Sequence, residues 1–144
     1  MFLSFQEHLL PKLLPKGLPL DLKKNVIIVD TPGVFDTEGK ENEIKEEICK
    51  CIGITSPGPH AFILVLNIAT RYTEEDRCTI KLFEKYFGKE MYRYAIVLFT
   101  RKDQLDKNRT TLEEYIQKSP KELQFLIKEC GERVFALDNT RSYG

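Results

Sequence analysis

The stretch VIIVDTPGVFDTEGKE, Val26 to Glu41, sets the first constraint on the fold. Four β-branched residues run without a polar interruption, the mark of a strand buried on both faces. The run ends on Asp30, and Thr31-Pro32-Gly33 follows as a tight turn. A carboxylate at the end of a buried strand suits a metal-and-phosphate site, because Mg²⁺ keeps most of its water and needs few protein oxygens. Gly33 would then offer a bare backbone N–H to a phosphate. The other reading of the same residues is an ordinary strand-to-turn junction.

Outward from this stretch the chain alternates strands and helices. A helix with Ile44, Ile48, Cys51 and Ile52 on one stripe follows the loop. Ala61–Leu66 (AFILVL) and Tyr94–Phe99 (YAIVLF) read as further fully buried strands, and Val134–Leu137 as a short last one. Between them, Thr73-Glu-Glu-Asp76 has the form of a capping box opening a helix that carries Ile80, Phe83 and Phe87 and stops at Gly88. Thr111–Glu114 starts a short helix. Ser119-Pro120-Lys121-Glu122 starts a longer one, with Ser119 as cap and Pro120 first in the helix. Leu123, Leu126, Ile127 and Cys130 form its apolar face, and Gly131 ends it. The class is α/β, a mostly parallel sheet with helices on both faces.

Residues 1–24 differ from the rest. Pro11, Pro15 and Pro19 recur every four residues, each removing a backbone donor. A short helix over Phe2–Leu10 followed by irregular chain is the expectation, giving an arm at 1–24 and a domain at 25–144.

Composition narrows the function. A chain of 144 residues is one domain at most, and 42 % apolar content supports a core. Lys plus Arg equals Asp plus Glu, 22 each, so there is no basic footprint for nucleic acid. Cys49, Cys51, Cys78 and Cys130, with only His8 and His60, complete no zinc pattern and read as reduced thiols of a cytoplasmic protein. No apolar run approaches the roughly 18 residues of a transmembrane segment.

Ligands of parallel sheets bind at the C-terminal strand ends. After the third buried strand come Thr100-Arg101-Lys102-Asp103-Gln104-Leu105, where the Lys102 stem could lie along a base; the alternative is a solvated charged loop. After the last strand, Asn139 could bond a base edge or cap a turn.

Taken in order, VDTPGVFD, SPGPHAFILVLN, RYTEED, IVLFTRKDQL and FALDN resemble the GTPases of immunity-associated proteins, the AIG-type G domain of the septin-like and chloroplast-import branch. SPGPH followed by RYTEED is the most specific part, and the match covers Val26 to Asn139, some four-fifths of the chain. The resemblance implies a Rossmann-like P-loop GTPase fold, here incomplete, that binds GTP or GDP with Mg²⁺. By motif, Asp30, Thr31 and Gly33 fall at the Mg²⁺ and γ-phosphate, with Asp30 as the metal residue. Arg101, Lys102 and Gln104 fall in the base-recognition loop, and Asn139 lies beside the base. The implied partners are guanine nucleotide and, through homo- or hetero-association, related GTPases.

Two departures bear on function. The family's base loop ends in an acid before leucine, which accepts from guanine N1–H and the exocyclic amine. Here that position is Gln104, with a single neutral acceptor oxygen, so guanine selectivity weakens unless Asp103 takes the role. The sequence also holds no G-x-x-x-x-G-K-[ST]. GVFDTEGKE has five residues between its glycines and carries Asp36 and Glu38, so it is no phosphate cradle. The family's phosphate loop, first switch and central strand are replaced by residues 1–24, and the family continues beyond residue 144. The expectation is therefore a truncated or alternatively spliced product, or an incomplete gene model. Its central strand gap is closed by its neighbours, filled by residues 18–24, or left as a weakness. No catalytic residue is assigned, hydrolysis by this chain alone is expected to be negligible, and nucleotide binding is expected to be weak or lost. The alternative function is a nucleotide-free module that pairs with intact relatives.

Overall fold

A computed structural model describes residues 2–6, 25–30, 41–55 and 58–138. The chain divides into two compact units, Met1–Ala61 and Phe62–Ser142.

In the first unit, β1 (Phe2–Gln6) and β2 (Asn25–Val29) pair antiparallel, with Phe2 opposite Val29 and Gln6 opposite Asn25. The helix expected from Phe2 is therefore a strand over its first five residues. A segment this short cannot repay helix nucleation, whereas β2 has a row of backbone groups that need partners and FLSFQ offers aromatic residues suited to a pleated surface. The rest of the expected helix, Glu7–Leu10, and the candidate filler strand 18–24 lie outside the described residues. The helix α1 (Glu41–Ile54) buries Ile48 and Cys51. Ile52, assigned to the same stripe, is 37 % exposed. Its C-terminal end is closed by Thr55, whose hydroxyl donates to the Cys51 carbonyl at 3.0 Å.

The second unit holds a parallel sheet of β3 (Ala61–Asn67), β4 (Ala95–Thr100) and β5 (Val134–Ala136). Connections run through α2 (Glu74–Phe87), a 3₁₀ turn at Lys89–Tyr94, α3 (Asp103–Lys107), α4 (Leu112–Gln117) and α5 (Lys121–Glu129). This is the alternation expected of an α/β fold with a parallel sheet. Register puts Phe62, Leu64 and Leu66 on one face with Ala95, Val97 and Phe99, and all six are buried. Helices cover that face: Phe62 meets Phe87 edge-on at 5.0 Å, and Phe99 meets Tyr115 at 5.6 Å.

The strands read as buried throughout are not. Burial alternates along β3, and Val65 is 47 % exposed, as is Ile28 of β2 at 48 %. Uninterrupted hydrophobicity records what a strand tolerates on each face, not how fully each face is covered.

Most helix boundaries follow the expected signals. Thr73 Oγ1 accepts from the Asp76 N–H at 3.1 Å while Asp76 accepts from the Thr73 N–H at 2.9 Å, a reciprocal capping box. Thr111 and Glu114 repeat the device on α4. Gly88, at φ 74°, stops α2. One assignment changes. Ser119 is no cap; its hydroxyl donates back to the Tyr115 carbonyl at 2.7 Å, and Pro120 occupies the cap position of α5. Tyr94, expected to open β4, closes the 3₁₀ turn and is exposed.

An unforeseen clamp joins the residue before β5 to the start of β4 and the turn that precedes it. The Arg133 guanidinium donates to the carbonyls of Ala95 at 2.9 Å and Tyr92 at 2.8 Å. Gly131, at φ 62°, lies under that guanidinium, and a Cβ there would stand 2.7 Å from it.

Candidate functional site, the base-recognition loop

β4 carries the chain out of the sheet at Thr100, level with Asn67 at the end of β3. Thr100 Oγ1 donates across to the Leu66 carbonyl at 3.4 Å, and Asn67 turns its side chain to cap the next turn, accepting from the Ala69 N–H at 2.9 Å. Directly after β4, Arg101 adopts φ 64°, a left-handed backbone that costs a non-glycine residue about 1–2 kcal/mol. The turn reverses the chain into α3, so Asp103, Gln104 and Leu105 follow on a helical turn rather than the open loop the sequence suggested. Leu105 is the apolar anchor, 4 % exposed.

The loop is clipped to the segment that follows β5, the strand next to β4. Lys102 N–H donates to the Leu137 carbonyl at 3.0 Å, and Leu137 N–H donates to Phe99 at 2.8 Å. The base loop and the segment after β5 thus share one backbone scaffold.

Asp103, which the motif pattern offers only as a substitute acceptor, is the hub of the site. It is buried to 7 % exposure. One carboxylate oxygen accepts from Arg101 Nε at 3.4 Å; the other accepts from Lys107 Nζ at 3.0 Å and the Gln104 amide at 2.7 Å. Lys107's hydrogen-bonded ammonium holds the Asp103 carboxyl below the ordinary carboxylate range, against the upward push of burial and with the help of Gln104 and Arg101. The signal that could have found this cluster is the i,i+4 spacing of Asp103 and Lys107 on one helical turn.

This arrangement decides what the loop can offer a base. Both Asp103 oxygens are engaged and the residue is buried, so Asp103 is turned towards its own partners rather than presented to a base. The Gln104 amide nitrogen is committed to Asp103, which leaves its carbonyl oxygen as the acceptor it can present. Lys102 is exposed and free to lay its stem along a ring. The residues therefore fit a guanine in part, with one acceptor in place of the two that a carboxylate brings.

Arg101, Lys102 and Gln104 are thus brought together in the second unit. Asp30 follows β2 in the first unit as an exposed carboxylate. Thr31, Gly33 and Asn139 lie outside the described residues. No group of three or more His, Cys, Asp or Glu side chains is arranged to hold a metal among the described residues. A nucleotide-bound Mg²⁺ needs no such group, since one carboxylate, phosphate oxygens and water complete its shell. No helix among the described residues is long and apolar enough to cross a membrane.

Comparison with known proteins places the chain. The AIG1 family profile matches residues 18–144. Immune-associated nucleotide-binding protein 4 of Arabidopsis thaliana is 35 % identical over 113 residues, covering 78 % of this chain and 35 % of that protein. Immune-associated nucleotide-binding protein 13 of Arabidopsis thaliana is 32 % identical over 127 residues, covering 88 % of this chain and 35 % of that protein. GTPase IMAP family member 8 of Homo sapiens is 36 % identical over 120 residues, 81 % of this chain and 18 % of that protein. The chain thus spans about a third or less of the length of these relatives. With its parallel three-stranded sheet and a profile match over most of its length, the chain belongs to the AIG1 family.

Proposed function

We propose that this chain is a guanine-nucleotide-binding member of its family whose contact with nucleotide runs mainly through the base loop. The observation that carries the reading is the built state of that loop: Arg101 is held in a left-handed turn, Lys102 is clipped to Leu137, and Gln104 is oriented by buried Asp103. Such prior organisation lowers the ordering cost of binding. Affinity is weak, because these 144 residues carry no phosphate-loop lysine and Gln104 supplies one neutral acceptor. Asp30, with Thr31 and Gly33 after it, is the Mg²⁺ and phosphate position by family resemblance; the ion would screen phosphate charge when nucleotide supplies the rest of its shell. Asn139 is the second base contact by the same resemblance. The domain assignment is an arm at 1–24 before a partial G domain at 25–144, in a cytoplasmic protein. Hydrolysis by this chain alone is negligible, because nothing here replaces the phosphate lysine.

The test restores the acid. A Gln104→Asp substitution is expected to tighten GMP binding about tenfold, the difference between a neutral and a charge-assisted acceptor, and to leave AMP unchanged. An equal effect on both nucleotides, or none on GMP by a folded variant, would remove Gln104 from the base site.

A second reading is a module that associates with related GTPases without nucleotide. A groove of about 430 Å³ in the second unit, lined by residues of α2 and α5 that include exposed Phe125, supports it.

A further inference from the structure

Gln104, half-buried on the first turn of α3, has its two polar ends told apart by its neighbour. Its amide stands 2.7 Å from Asp103 Oδ2. A carboxylate only accepts, so the end facing it is Nε2, and Oε1 is the end left over. Asp103 is itself held from two sides. The same Oδ2 accepts from Lys107 Nζ at 3.0 Å, and Oδ1 accepts from Arg101 Nε at 3.4 Å. Lys107's hydrogen bond keeps the buried Asp103 carboxyl ionised well below neutral pH. The amide therefore cannot turn over without setting its oxygen against an anion.

A free amide offers an acceptor and a donor side by side; this one offers the acceptor alone. Purines differ in what they present at positions 1 and 2. Guanine presents an N1–H and an amine at C2, and asks for two acceptors. Hypoxanthine presents the N1–H beside a C–H, and asks for one. Xanthine presents the N1–H beside a carbonyl, and asks for an acceptor and a donor. Adenine presents a bare N1, which an oxygen repels.

We propose that Asp103 is the positioning residue that sets base selectivity in this chain, and that the loop takes hypoxanthine nucleotides as well as guanine nucleotides while rejecting xanthine. This selectivity rests on the guanine reading above and deepens it. Guanine's amine gains no partner from Gln104, and a polar group that gives up water without a partner costs binding energy. Hypoxanthine has nothing there to leave unpaired. Xanthine's C2 carbonyl would meet an amide whose nitrogen is already committed to Asp103.

Displacement of a fluorescent GDP analogue from the full chain by GMP, IMP, XMP and AMP tests it. IMP is expected within about threefold of GMP, XMP at least about tenfold weaker than IMP, and AMP ineffective. Gln104→Asp, which brings two charged acceptors, should open a GMP preference over IMP of about fivefold or more. Asp103→Ala, folded by circular dichroism, frees the amide to turn and should bring XMP to within about threefold of IMP. Loss of support alone would weaken all bases together and leave that ratio unmoved. In the parent, GMP about tenfold tighter than IMP, or XMP equal to IMP, with AMP ineffective, overturns the proposal and leaves the guanine reading standing. No gain of XMP over IMP in folded Asp103→Ala overturns the role of Asp103; if that variant does not fold, the parent and Gln104→Asp series decides. Equal displacement by AMP, or none by any nucleotide, removes the guanine reading and this selectivity with it.

Discussion

Asp103 organises more of the second unit than any other charged residue described. Its carboxylate holds a strained arginine, a helix lysine and the glutamine proposed to meet the base. Because its folded pKa is depressed, the stabilisation is present above the unfolded value, near pH 4, and is lost as pH falls through the lower folded value. Asp103→Asn should therefore be less stable than the parent at neutral pH, and the two should converge on acidification. Chemical denaturation at a series of pH values reads this directly; a constant gap down to pH 2 would show that Asp103 acts by shape alone. The sequence exposed the loop's composition but not this hub, because burial of a carboxylate depends on partners that a linear reading places in solvent.

At the scale of elements, the starts of α2 and α4 were legible because capping is local chemistry. RYTEED, the most specific stretch of the family resemblance, includes in Thr73 and Asp76 the complete N-terminal lock of α2. Thr73→Ala is expected to cost about 1 kcal/mol, seen as a melting temperature lower by roughly 3–5 °C. No change would mean that neighbouring acids compensate for the lost cap. The strands were legible in place and less so in environment. β3, β4 and β5 lie where apolar runs put them, yet Val65 and Phe135 are 47 % and 58 % exposed. Alternation along β3 comes from which face carries helices, and that is tertiary information. β1 was missed for a related reason. FLSFQ has no strong pattern of its own, and its strand state follows from pairing with β2, 19 (Gln6–Asn25) to 27 (Phe2–Val29) positions along the chain. The Arg133 clamp is equally non-local, joining residues 38 and 41 positions apart in the chain.

For the molecule as a whole, family membership was readable because five motifs occur in order along the chain, and the AIG1 profile covers the same region. Arg101, Lys102 and Gln104 share one turn, and how they share it was set by Asp103. The central claim is that guanine recognition in this chain resides in the base loop and not in a phosphate cradle. A fluorescent GDP analogue titrated into the folded chain, then displaced by GMP, GDP and AMP with and without Mg²⁺, tests this most directly. The account predicts weak, saturable binding, with GMP displacing within about threefold of GDP, AMP ineffective, and Mg²⁺ at Asp30 strengthening GDP by no more than that ratio; a threefold ratio corresponds to under 1 kcal/mol from the second phosphate and its ion. Displacement by GDP a hundredfold better than by GMP, or equal displacement by AMP, would contradict it.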